Sequence, residues 1–234
     1  MTNTIAASSA SKIAQFKGHK NSVGFMPIQT CPFATESCTK VCYVEKTFRY
    51  PAVKKVLSKN TEGLFFLDCT VLSPHRLTSQ LRGLVWNSLR QRERRLAKLD
   101  KFSKEYKRLK QRGHIFRWQW SGDVVSANHA KAIYTISQEF PATSFWLYTR
   151  SFPYVKHLVG LDNLHVYLSV DRDNHIQAIL THQNYPTTKL AWMGEGPAEA
   201  VTCPATNGKL NGAGACNTCG ICYGTSKDVL FNIH

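Results

Sequence analysis

From residue 113 onward the chain alternates between short β-forming runs and helical stretches, and this alternation limits the fold more than any other feature. The runs are His114–Trp120 (HIFRWQW), Ser144–Thr149 (SFWLYT), Leu164–Val170 (LHVYLSV) and Lys189–Met193 (KLAWM). Between them Ser126–Phe140 reads as a helix with Ser126 as N-cap and Pro141 as its stop. Shorter helical segments follow at Phe152–Val159 and around Ile176–Thr181. Upstream, Ser22–Ile28 and Leu64–Cys69 (LFFLDC) read as two further strands. Strands that recur roughly every 20 to 30 residues with helices between them predict a parallel α/β sheet, open or closed into a partial (β/α) barrel. With 234 residues and 43% hydrophobic composition, the chain can bury a core without covalent staples. The expected organisation is a flexible N-terminus over 1–20 and an α/β core over 21–200 with a basic helical insertion around 74–113. A Cys-rich metal-binding module over 201–234 completes it.

The eight cysteines fall into two clusters with Cys69 alone between them. The C-terminal cluster is Cys203-Pro204 followed by Cys216-x2-Cys219-x2-Cys222, threaded with Gly212, Gly214 and Gly220. The N-terminal one is Cys31-Pro32, Cys38 and Cys42-Tyr43. Two-residue gaps let consecutive thiolates turn toward one ion or cluster, and glycine relieves the backbone at such a knuckle. A disulfide framework is the competing arithmetic. It presupposes an oxidising compartment, yet residues 1–20 contain no apolar signal region and no run approaches the roughly 18 apolar residues of a membrane span. The expectation is a reducing bacterial cytoplasm in which such cysteines are ligands.

Thirty Lys and Arg against fifteen Asp and Glu give a net charge of +15. Thirteen of those cations and only three acids lie between Arg76 and Arg112, a net of +10. Leu77, Leu81, Leu84, Val85, Leu89, Leu96, Leu99 and Phe102 recur there at mostly helical spacing, so the segment reads as one long helix or a helix pair, stopped at Gly113. A solvated face is the ordinary fate of a charge run. So little acidic compensation instead favours a polyanion, and the residues expected to meet nucleic acid are Arg90, Arg92, Arg94, Arg95, Lys98, Lys101, Lys107 and Arg108.

In parallel α/β folds functional groups gather at the C-terminal ends of the strands. The strand ends here lead into Cys31, Asp68-Cys69, Ser121-Gly122-Asp123, Thr149-Arg150-Ser151, Asp171-Arg172 and Gly194-Glu195-Gly196. Both cysteine clusters and Asp123, Arg150, Asp171 and Glu195 are therefore expected to share one mouth of the sheet. Helix capping is the plainer role for any one carboxylate. His19, His75, His129, His157 and His182 read as surface or helix-face residues, His114 as the start of a strand, and the four strand tryptophans as core. His234 could reach back to the nearby cysteines.

The runs CPFATESCTKVCY, RYPAV, WQWSGDVVSANHAKAI, FWLYTRS, VYLSVDRD and CPATNGKLNGAGACNTCGICY resemble the phage "gene product 88" family and its plasmid relatives over most of residues 23–234. A remoter similarity is to radical SAM enzymes, which hold a [4Fe–4S] cluster by three cysteines after the first strand of a partial barrel. Cys31, Cys38 and Cys42 match that place, although their spacing departs from the usual three-then-two gaps and no SAM-binding glycine/glutamate motif is evident. Taken with the cysteine clusters and the cation excess, the leading expectation is a phage- or plasmid-type metalloenzyme acting on nucleic acid, with a radical-SAM-like partial barrel. Cys31, Cys38 and Cys42 would hold the cluster with one iron open to substrate or SAM, and Cys203, Cys216, Cys219 and Cys222 would hold a second Fe–S cluster or zinc. Asp123 and Asp171 would orient substrate or move protons, and Arg150 would meet a carboxylate or phosphate. Two other readings stand beside it: a zinc-containing base-exchange enzyme of the transglycosylase kind, and a non-enzymatic nucleic-acid-binding protein with two zinc knuckles.

Overall fold

A computed structural model of the chain describes residues 4–69, 74–210 and 212–232. The side chain of Cys69 and all of His234 lie outside the described residues. The helices are α1 (Glu36–Lys40), α2 (Pro51–Cys69), α3 (Pro74–Lys98), α4 (Lys104–Arg112), α5 (Ala127–Glu139), α6 (His175–Asn184), α7 (Ala215–Cys219) and α8 (Ile221–Gly224). The strands are β1 (His114–Arg117), β2 (Thr143–Thr149), β3 (Leu164–Val170), β4 (Lys189–Met193), β5 (Val201–Thr202) and β6 (Val229–Phe231). They form one open, curled sheet in the order β1-β2-β3-β4-β6-β5, parallel throughout, a half-barrel.

The two-residue alternation of a strand sorts side chains onto two faces. Phe116, Phe145, Leu147 and Val166 turn toward helices, joining Leu64, Leu77, Leu81, Val85, Ile133 and Ile136 in the main core. Ile115, Trp146 and Tyr148 turn the other way and meet Ile13, Tyr223, Cys216 and Cys222. The C-terminal cysteine segment thus lies on the face opposite the helices, and β6 within it pairs directly with β4. Residues 4–20, expected to be flexible, are packed on both faces: Ile13 joins this side and Ile5 the main core, and Ala14, Gln15 and His19 are buried as well.

The elements from 113 to 193 lie where periodicity puts them, and Ser126 caps α5 by accepting from the His129 N–H at 3.0 Å. Two upstream strand expectations are corrected. LFFLDC is the last part of the 19-residue α2, whose buried Leu57, Asn60, Thr61, Leu64 and Leu67 keep helical spacing while Phe65 and Phe66 face outward. Residues 22–28 run alongside β1 without becoming a strand. Val23 N–H donates to the Arg117 carbonyl and Trp120 N–H to the Val23 carbonyl, with a single parallel bridge at Ser22. The basic run divides into α3 and α4, Ser103 capping the latter through Tyr106 N–H, and Phe102 at the break is 83% exposed. No helix among the described residues is long and apolar enough to cross a membrane.

Candidate functional site

The chain leaves the edge of β1 and turns tightly into the first cysteines. Thr30 bonds back to the Met26 carbonyl through its hydroxyl (2.7 Å), Cys31 N–H reaches the Ile28 carbonyl (3.1 Å), and Ile28 adopts φ +66°. The neighbouring Ser121-Gly122-Asp123 loop fits only with glycine at 122. Its φ is +79°, and a Cβ would stand 2.3 Å from the Thr30 hydroxyl. Asp123 N–H then donates to the Thr30 carbonyl at 2.9 Å.

Thr35 opens α1 and works in two directions. Its oxygen accepts from Cys38 N–H at 3.1 Å, while its hydroxyl donates to Asp171 Oδ2 at 2.7 Å. The same carboxylate oxygen receives Arg150 Nε (3.1 Å) and Nη2 (3.0 Å), an ion pair whose side chains are 11% and 4% exposed. Asp173 accepts from Ser37 N–H at 2.8 Å, and Arg172 Nε donates to the Ser37 hydroxyl. The SVDRD end of β3 therefore clamps the cysteine loop. Asp123 is engaged as well: Val124 N–H and the Thr149 hydroxyl donate to Oδ1, and Arg150 N–H donates to Oδ2. Both carboxylates expected to move protons hold the mouth together in this structure, whereas Glu195 stands exposed beyond β4.

Cys31, Cys38 and Cys42 are electrostatic neighbours of one another, and Asp123, Asp171 and Arg150 act on Cys38. Burial pushes the Cys31 thiol up to about 12, with Asp123 adding to the effect. Burial likewise raises Cys38, against the opposing field of Arg150. Sequence-distant strand ends have thus met as the parallel topology requires.

Cys203, Cys216, Cys219 and Cys222 line one small cavity of about 20 Å³ with Pro204 and Tyr223. Gly220 joins α7 to α8 at φ +75°, where a Cβ would press on the Arg112 guanidinium. The N-terminal segment holds the module by Gly214 N–H to the Ser11 carbonyl (2.8 Å) and Cys216 N–H to the Lys12 carbonyl (2.9 Å). Tyr148 donates its hydroxyl to Cys222 Sγ at 2.7 Å, and burial pushes that thiol up to about 12. Among the described residues no three His, Cys, Asp or Glu side chains close to coordination spacing.

Between the two cysteine groups lies Arg117, the last residue of β1. Its guanidinium sits 5.0 Å from the Tyr148 ring centre, and the ionisable groups facing it are Tyr43, Tyr148, Cys216 and Cys222. It forms no ion pair with a carboxylate among the described residues, and its Nε is buried without a hydrogen-bond partner. Tyr43, which follows Cys42, donates its hydroxyl to the Trp120 carbonyl beside it.

The cations of α3 and α4 divide by environment. Arg92 is 7% exposed and donates to the Leu109 carbonyl at 2.7 Å, so its charge serves the α3–α4 packing. Arg95 forms a two-bond pair with Glu105. Arg90, Arg94, Lys98, Lys101, Lys107 and Arg108 are exposed.

The family profile described as Gene product 88 matches residues 2–225. The chain belongs to the gene product 88 family. It is 32% identical over 232 residues to the Gene 88 protein of Mycobacterium phage L5, covering 92% of this chain and 87% of that protein. Against the Gene 88 protein of Mycobacterium phage D29 the identity is 32% over 233 residues, covering 92% and 88%. No solved structure matches the chain.

In this gene product 88 family member, sequence reasoning passed over Arg117, Tyr148, Thr35 and Asp173. Arg117 carried a signal, since it is the one cation within the apolar run HIFRWQW. Thr35 carried one too, three residues before Cys38 at the spacing of an N-cap. Nothing local marked Tyr148, whose role depends on a residue 74 positions away.

Proposed function

We propose that the protein is a metal–thiolate enzyme of radical-SAM-like half-barrel design that acts on nucleic acid. Cys31, Cys38 and Cys42 hold a [4Fe–4S] cluster, and Cys203, Cys216, Cys219 and Cys222 hold a second centre. The observation that carries the reading is Arg117. A half-buried guanidinium whose Nε is sealed from water and which has no carboxylate beside it carries an uncompensated charge that costs stability. Neutral thiols do nothing to offset that cost, whereas four cysteinates around a divalent ion carry a net charge of −2 and supply the missing counter-charge. The donor set suits the same conclusion, since four thiolates fit tetrahedral zinc or an Fe–S cluster.

The C-terminal cavity favours zinc there. Four cysteines lining one small cavity suit a single tetrahedrally held ion. At the N-terminal site three cysteines leave one iron of a bound cluster open to a small co-substrate such as SAM. The Arg150–Asp171–Thr35 chain fixes the loop that would carry it. Support for nucleic acid as the substrate comes from the exposed cations of α3 and α4.

Anaerobic purification with metal analysis tests the reading. A brown protein absorbing broadly near about 400 nm, with iron and zinc both present, is the expected result. Cys38→Ala should lose iron and colour but stay folded with its zinc, while Cys219→Ala should give insoluble or protease-sensitive protein, because a closed centre contributes its binding energy to folding. A colourless wild-type protein containing zinc alone would overturn the iron–sulfur assignment.

A further inference from the structure

The N-terminal segment and α3 enclose an open groove of about 330 Å³ that contains none of the cysteines. Its walls are held in place by specific bonds. Asn60 grips Ala6 by both backbone groups (2.7 and 2.9 Å), Gln80 accepts from Ile5 N–H, and Gln91 accepts from Lys20 N–H at 3.1 Å. The volume falls within the range of pockets that take small organic ligands, at its lower end.

The charge around the groove is of one sign. Lys20, Arg90 and Arg94 line it, and no carboxylate does. On the same helix Arg82, Arg92 and Arg95 have acidic partners in Glu139, Glu93 and Glu105. Arg90, Arg94 and Lys20 form no ion pair among the described residues. Asn87, Arg90, Gln91 and Arg94 share one helical stripe at i, i+3, i+4 and i+7, so their donors point to one side, and Lys98 extends the row by another turn. Between these donors the surface is apolar, formed by Ile5, Ala7 and Leu84.

We infer that this groove binds the sugar–phosphate backbone of single-stranded nucleic acid without regard to sequence. Unpaired cations with amide donors between them match a row of phosphates, and the apolar strip suits the sugars. No aromatic side chain lines the groove, so there is no platform on which bases would stack or be told apart. A concavity of this size admits one strand rather than a duplex. The inference rests on the nucleic-acid part of the function proposed above and is independent of the metal part.

The test is fluorescence anisotropy of labelled oligothymidine and oligoadenine with the full-length protein, titrated with salt. Both strands should bind alike, with a log–log salt slope of about −0.7 per phosphate neutralised, hence near −2 for three cations. The variant Lys20→Gln/Arg90→Gln/Arg94→Gln should bind at least about tenfold more weakly with a nearly flat slope. Its fold should survive, since the residues are exposed and glutamine is a good helix former, which circular dichroism checks. Lys107→Gln/Arg108→Gln on α4 should retain most of the binding. Unchanged affinity in the triple variant overturns the groove, as does an equal loss in the α4 variant or a polyglutamate peptide that competes as well as the oligonucleotides. Cys38→Ala separates the two proposals, because it should lose iron and keep oligonucleotide binding. A brown protein that ignores oligonucleotides defeats the groove and leaves the cluster standing, and a colourless one that binds them defeats the cluster and leaves the groove standing.

Discussion

Ile28 sits three residues before Cys31 with φ +66°, a conformation that crowds a β-branched side chain and that glycine adopts freely. The side chain is 55% exposed, so packing does not repay the strain. Backbone strain of this kind costs on the order of 1–3 kcal/mol and concentrates where a chain must hold a functional loop in a fixed path. Ile28→Gly should therefore stabilise the protein, part of the gain being cancelled by the greater freedom of glycine in the unfolded chain. The expected net is about 1 kcal/mol, read as a rise of roughly 2–4 °C in melting temperature for a chain of this size. A fall in melting temperature would show that the isoleucine earns its place by contacts. Gly122 is the converse case across the same turn, where positive φ is met by the residue that tolerates it and any side chain would collide with Thr30.

At the scale of elements the cysteine loop depends on the end of β3. Asp171 lies buried between Arg150 and Thr35, so removing it strands the Arg150 charge and undoes the cap on α1 together. Asp171→Ala should cost about 3–5 kcal/mol by the rule for broken buried pairs, and the loop around Cys31–Cys42 should become the first site of proteolytic cleavage. Cleavage elsewhere, or an unchanged urea midpoint, would count against the clamp. The residues of this clamp illustrate what was legible in the sequence. Asp171 and Arg150 were found because a parallel sheet sends strand ends to one mouth, and β2, β3 and β4 announced themselves by near-continuous apolar runs. Their bonding was not legible, since Thr35 and Asp171 are 136 positions apart and only the folded register brings them together. LFFLDC deceived because four consecutive apolar residues carry no period of their own; the helical spacing shows only when Leu57, Asn60 and Thr61 are read with them. β5 and β6, two and three residues long, are too short to hold a pattern at all.

The molecule as a whole buries three histidines: His114, which opens β1 as expected, and His19 and His129, expected on the surface or on a helix face. His19 and His114 both bond to the Ser88 hydroxyl, and His114 also meets Thr143, while His129 meets Gln119. All three are 3% exposed or less. Burial lowers His19 to about 4 and His114 and His129 to about 3, with Arg92 adding its repulsion at the first two. The unfolded chain takes up these protons near pH 6.5 and the folded one does not. Where the unfolded state binds more protons, stability falls as pH falls. The contribution is thus fully present above about pH 6.5 and is lost progressively below it, down to the folded values of about 4 and 3. One unit below the unfolded value each histidine costs about 1.4 kcal/mol, so at pH 5.5 the three together remove up to about 4 kcal/mol. Asp123, raised by burial, acts in the opposite sense, but it is one group against three and its unfolded value lies lower. Against a typical total of about 5–15 kcal/mol this is a large share. Urea denaturation at pH 7.5 and 5.5 should show the midpoint falling steeply, whereas equal midpoints would mean that the histidines are charged or solvated in the folded protein.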